Sequence, residues 1–160
     1  MNGDRAASSE ITYAGIAGAV GGMVGIAGIY AGKWFSYSYI ADGARATFYF
    51  DGTEDWTGQV AFIAGLAAFA FGIAYILLSD TQIRTLTGSI MGVGGIFLLA
   101  MAILAFTRVD EVVGPHPFLP GIDPGQSIRI TTAAAGGLWM SVVGGMAAVY
   151  GAFLSIRHER

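Results

Sequence analysis

Asp42, Asp51, Glu54, Asp55, Asp110, Glu111, His116 and Asp123, all in the two long loops between apolar segments, are the candidates of this chain for acid–base or metal chemistry. Asp51, Glu54 and Asp55 stand close together, and three carboxylates could hold a divalent cation through oxygen ligands, with Asp110 and Glu111 joining from a later loop. The same residues read more simply as a turn at Asp51-Gly52 and a helix start at Asp55, because a short carboxylate satisfies the unpaired N–H groups of a first helical turn. His116 lies between two prolines with no second histidine on its side of the chain's predicted layout, so a transition-metal site is not expected. The chain has no cysteine, which removes disulfides and thiolate chemistry. The glycine-rich stretches lie inside apolar runs, without the strand-to-helix context of a phosphate loop, a dinucleotide fingerprint or a nucleophile elbow. No catalytic, cofactor or metal site is expected, and the chain is read as not an enzyme.

The elements that must position these residues are set by composition. Of 160 residues, 54% are hydrophobic and only 12% charged, against about a quarter charged in an average soluble domain. The mean hydropathy is +0.62. Four apolar runs, about 11–32, 60–78, 86–106 and 133–156, contain no Asp, Glu, Lys, Arg or His. Each is long enough to cross a bilayer core of about 30 Å at about 1.5 Å per helical residue. The first run exceeds the apolar core of a cleaved signal peptide and is read as a retained span. The expected fold is an all-α membrane protein: one domain over 1–160, a four-helix transmembrane bundle with a small extracytoplasmic β-hairpin in its first loop. A net charge of −3 offers no basic surface for nucleic acid.

Four spans put both termini on one side. Lys and Arg divide four against four between the sides, so the positive-inside rule does not choose. The long loops carry seven of the acids, against four on the side of the termini, and they are the aromatic-rich segments. Both asymmetries favour cytoplasmic termini in a plasma membrane. An excess of seven Arg to one Lys, with abundant Ala and Gly, fits a GC-rich prokaryotic genome.

Small residues are ordered within the spans. In the first, Ala14, Gly18, Gly21, Gly25, Gly28 and Gly32 follow steps of 4, 3, 4, 3 and 4 and so share one helix face. Gly65 and Gly72 lie on a similar stripe in the second span, Gly88 and Gly92 in the third, and Gly144 and Gly151 in the fourth. Helices in lipid gain little from apolar burial against one another, so close backbone approach at small residues drives their association. Gly18, Gly21, Gly25, Gly28, Gly65, Gly72, Gly88, Gly92, Gly144 and Gly151 are therefore the expected helix-packing residues. A second small series on the first span, Gly15, Ala19, Gly22 and Ile26, is wider than one contact needs and predicts an additional partner there.

The first loop alternates in Phe35-Ser36-Tyr37-Ser38-Tyr39 and again in Ala46-Thr47-Phe48-Tyr49-Phe50, with Asp42-Gly43 between them. Asp-Gly favours a two-residue hairpin turn. A hairpin over 34–50 turning there pairs Ala41 with Ala44, Tyr39 with Ala46, Tyr37 with Phe48 and Phe35 with Phe50. Phe35, Tyr37, Tyr39, Phe48 and Phe50 then share one face, opposite Ser36, Ser38, Thr47 and Tyr49. All four prolines fall within Pro115–Pro124, which predicts a stiff, irregular second outer loop. The hairpin aromatics, with His116 and Phe118, are the expected extracytoplasmic contact residues.

This layout, with a β-ribbon loop flanked by Trp34 and Trp56, a short inner connector and Gly/Ala-rich spans, resembles the claudin-type tetraspan membrane proteins. The likeness is one of topology. The family's Gly-Leu-Trp and paired cysteines in that loop are absent, since Trp56 follows Glu54-Asp55 and the chain has no cysteine. The resemblance implies a hairpin platform on a four-helix bundle that makes lateral contacts. Without ionisable residues or proline in the spans, a coupled transport pathway is not expected. The expected role is a non-enzymatic membrane scaffold or accessory subunit, a homo-oligomer or part of a larger complex, surrounded by membrane lipids. The alternatives are a small carrier or binding protein for an apolar ligand such as a lipid or quinone, or an oligomeric channel.

Overall fold

The computed structural model describes residues 2–41, 44–109 and 129–158. Helix α1 spans Asn2–Tyr30, followed by strands β1 (Lys33–Ala41) and β2 (Ala44–Asp51) and a single 3-10 turn, Gly52–Glu54. Helices α2 (Trp56–Leu77) and α3 (Thr81–Thr107) come next, then strand β3 (Arg129–Ala134) and helix α4 (Gly136–His158). The four helices are long and apolar enough to cross a membrane.

Capping residues fix where α2 and α3 start. Asp55 precedes α2 and its carboxylate accepts from the backbone N–H of Thr57 and from the Thr57 hydroxyl. Asp80 precedes α3 and accepts from the N–H groups of Gln82 and Ile83. Each satisfies donors that an isolated helix start leaves bare. Because Asp80 caps, α3 begins at Thr81 and the linker back to α2 is shorter than the expected 79–85 connector. Arg84 closes this turn by donating through Nε and Nη2 to the Leu78 carbonyl at 3.0 and 2.5 Å. Its guanidinium also lies over the Tyr75 ring, 5.9 Å from the centroid.

The helices form a ring in chain order. α1 packs on α2 and α4, and α3 packs on the same two, with little contact across either diagonal. The sheet covers the end of the ring where α1 and α3 finish and α2 and α4 begin. Its order is β2-β1-β3, antiparallel throughout.

The hairpin register is the one that alternation predicts: Phe35 pairs with Phe50, Tyr37 with Phe48, Tyr39 with Ala46 and Ala41 with Ala44. The turn residues Asp42 and Gly43 lie outside the described residues. At the base of β1 the register shifts between Lys33 and Phe35, leaving Trp34 as a bulged residue. A bulge breaks strict alternation, so Trp34 and its neighbour Phe35 both turn into the core. A cross-strand Lys33–Asp51 ion pair of 2.6 Å closes the hairpin's base beside that bulge.

The fourth apolar run differs from expectation at its start. Ala133 and Ala134 belong to β3, paired with Ser36 and Phe35, and α4 begins only at Gly136. A two-stranded hairpin leaves one edge of β1 unpaired, and the β-branched stretch Ile130-Thr131-Thr132 fills that edge. The Ala135 N–H continues the ladder to the Trp34 carbonyl at 2.8 Å. The first long loop therefore folds on a strand of the second.

Beneath the sheet lies a core of Ile29, Trp34, Phe35, Tyr37, Leu98 and Leu138. Trp34 is fully buried, with its indole against Gly52, where an added Cβ would lie 2.7 Å from Cε2.

Candidate functional site

The α1–α4 seam is built from reciprocal glycine contacts. A Cβ on Gly21 would stand 2.5 Å from the Gly144 carbonyl oxygen, and one on Gly144 would stand 2.5 Å from the Gly21 oxygen. Two turns nearer the sheet, a Cβ on Gly28 would lie 2.5 Å from the Gly137 oxygen, and one on Gly32 the same distance from Gly137 Cα. Toward the other end, Gly151 would meet the Ala14 oxygen at 2.6 Å and the Gly18 nitrogen at 2.7 Å. Here backbone lies on backbone, and no side chain of any size fits between. Ser141 sits in the same seam, donating to the Gly137 carbonyl at 3.1 Å within its own helix and lying 3.4 Å from the Gly25 carbonyl of α1.

The other glycines predicted for packing face different neighbours. A Cβ on Gly18 would run into the Met91 thioether, and one on Gly25 into the Leu98 methyl groups, both from α3. Gly65 and Gly72 of α2 face α1, Gly65 toward Ile26 Cγ1 at 3.0 Å and Gly72 toward Ala19 and the Gly15 oxygen. Gly88 and Gly92 of α3 face α4, at 2.6 Å from Ser155 Oγ and 2.7 Å from Ala152 Cβ.

The second small series of α1 requires a correction. Gly15, Ala19, Gly22 and Ile26 do not await an additional partner; they meet α2 of the same chain. A Cβ on Gly22 would stand 2.5 Å from the Phe69 nitrogen and 2.6 Å from the Gly65 oxygen. A helix in a four-membered ring has two neighbours, and α1 lies close to both, so it carries two small faces.

The sheet divides the expected contact aromatics. Phe35 and Tyr37 are buried against the bundle and Phe50 is half-buried, so these three anchor the sheet instead of facing outward. Phe48 is 48% exposed and Tyr49 58%, one on each face of the β2 edge. Tyr49 and Trp56 are exposed residues that the hairpin pattern does not nominate, since one falls on its polar face and the other begins a helix. Ser38, also on that polar face, is buried, with its hydroxyl 2.9 Å from Thr47 Oγ1 across the strands. The side chain of Tyr39, together with His116 and Phe118, lies outside the described residues.

The acidic cluster does not gather. Asp51 pairs with Lys33, Asp55 caps α2 and Glu54 sits in the intervening turn. Among the described residues, no three His, Asp or Glu side chains converge as metal ligands would. Arg108 at the end of α3 lies over the Trp56 ring, 5.7 Å from its centroid, and ties α3 to the start of α2.

These features define a class of architecture: a ring of four apolar helices, closed at one end by a three-stranded antiparallel sheet, which fits a multi-pass membrane protein. No family model and no curated protein matches the chain.

Proposed function

We propose that this chain is an integral protein of a prokaryotic plasma membrane, with both termini cytoplasmic, acting as a non-enzymatic scaffold or accessory subunit. The claudin-type layout, with a β platform held rigidly over a four-span bundle, is part of the same proposal. The observation that carries it is the β2 edge, where Phe48 and Tyr49 stay exposed on a strand paired with β1, whose Trp34, Phe35 and Tyr37 are buried beneath the sheet. Aromatic side chains on a rigid platform give large contact area at small entropic cost, which is what association surfaces use. The glycine contacts run between helices of the same chain, so lateral association falls to the platform and to the outer faces of the helices. The same contacts favour a scaffold over a carrier, because close approach at the seams and the buried Met91 and Leu98 side chains leave little room for a ligand between the described helices.

Native mass spectrometry after extraction in mild detergent tests the role. The wild type is expected as an assembly heavier than its 16.6 kDa chain, and a Phe48→Ser/Tyr49→Ser variant as the single chain with unchanged melting temperature. A wild type that is monomeric and carries no other chain would overturn the scaffold reading. Orientation is checked by an impermeant thiol reagent at two exposed positions, Thr131→Cys in β3 and Ser79→Cys at the opposite end of the bundle. Labelling from outside is expected only at Thr131→Cys.

A further inference from the structure

At the end of the bundle away from the sheet, the outer side of the α1–α4 pair opens into a groove of about 720 Å³. Its position follows from residue size. Ala17 and Ala147 are half-buried in the cleft between the helices, while the larger Tyr13 and Tyr150 stand exposed on either side. From Glu10 to Val20 the groove follows α1 for roughly 15 Å, at the helical rise per residue. Because the two helices run antiparallel, Glu10 near the start of α1 and Arg157 near the end of α4 share one mouth of the groove, and the remainder is apolar apart from the tyrosine hydroxyls.

We infer that this groove holds one phospholipid of the leaflet next to the termini, its phosphate on Arg157 and an acyl chain over Ala17 and Ala147. The inference rests on the membrane reading proposed above. Three observations choose the occupant. The polarity runs from charge through tyrosine to aliphatic lining over the length of the groove, the gradient of an amphiphile seated along a bilayer normal. Among the described residues Arg157 makes no ion pair or hydrogen bond, while Glu10 has an interaction of its own, so Arg157 is the charged group at the mouth left to receive a phosphate. The volume lies within the usual range for ligand sites, about 300–1,000 Å³.

The test uses the full chain purified in dodecylmaltoside and titrated with phosphatidylglycerol or with diacylglycerol of the same acyl chains, followed by native mass spectrometry. One phosphatidylglycerol per chain is expected at concentrations where diacylglycerol is not retained. Arg157→Gln, an exposed position, is expected to weaken phosphatidylglycerol retention about tenfold and to erase the difference between the two lipids, as loss of one charge-assisted contact would. Ala17→Leu/Ala147→Leu fills the groove and is expected to abolish retention of both. Equal retention of the two lipids by the wild type, or unchanged retention by Arg157→Gln, would overturn the inference. So would a groove-filling variant that alters the oligomeric mass and not the lipid count, which would make a second copy the occupant. Carbonate extraction of membranes separates the two readings. A chain released by alkali defeats the membrane proposal itself, while a chain that stays in the pellet yet retains no phospholipid defeats only the groove.

Discussion

Gly21 and Gly18 are neighbours on one face of α1 and carry the same absence of a side chain, yet they face different obstacles. Gly21 lies against the backbone of α4, with the Gly144 oxygen and the Ala148 nitrogen 2.5 and 2.6 Å from where its Cβ would be. Gly18 lies against the thioether of Met91. A backbone atom of a packed helix can move only if the helix moves, whereas a methionine side chain has three rotatable bonds and can swing aside. A small-residue stripe is therefore not one energetic object. The α1–α4 seam is a rigid part of it, and the line facing α3 is compliant.

The strongest way to break this contrast is a large side chain in the seam. Gly144→Leu is expected to prevent the four-helix ring from closing, read as loss of a cooperative thermal transition in detergent, because both the Gly21 oxygen and the Gly25 nitrogen stand in its path. The platform gives the next largest effect. Trp34→Ala empties a fully buried site beneath the sheet and is expected to cost about 3–5 kcal/mol, the range for large aromatic truncations, measured by chemical denaturation.

The paired substitution Gly21→Ala and Gly18→Ala sharpens the comparison directly. Gly21→Ala is expected to destabilise by about 1–3 kcal/mol through overpacking, and Gly18→Ala by less than about 1 kcal/mol once Met91 repacks. Equal losses at the two sites would show that Met91 is as immobile as backbone. The smallest effect belongs to Gly136→Ala, where nothing lies within 4 Å of an added Cβ. There the gain in helix propensity, at most about 1 kcal/mol, is expected to leave the melting temperature unchanged or slightly raised.

Much of the architecture was legible from patterns that depend on single elements. Four uncharged apolar runs gave four long helices, and the alternation around Asp42-Gly43 gave the strand register residue for residue, because a period of two with aromatic pairs permits few alternatives. Asp55 was readable as a helix-start residue by type and position, whereas Asp80 fell within the expected 79–85 connector, and its cap lengthens α3 beyond its apolar run. The candidate site was legible only in part. The glycines could be nominated from their spacing, but spacing on one helix does not name the helix opposite, and the second series of α1 points to α2 instead of to another chain. Phe35 and Tyr37 were assigned to a contact face, yet which side of a ribbon meets the bundle depends on how the ribbon is seated.

What the sequence determined by itself was therefore local: the apolar or polar character of each segment, the helical and extended periods, the hairpin register and the Asp55 cap, all set by interactions within a few residues or across one tight turn. Tertiary structure decided the rest. It decided that β3 completes the sheet, since the open edge of β1 needs a partner from about a hundred residues further along the chain. It decided that Trp34 turns inward at a bulge. It also separated glycines that meet backbone from those that meet side chains, and placed Arg157 beside Glu10 at the mouth of a groove floored by Ala17 and Ala147. Each of these depends on which surfaces approach when the ring of helices closes, and a periodicity along one segment carries no information about the shape of its neighbour.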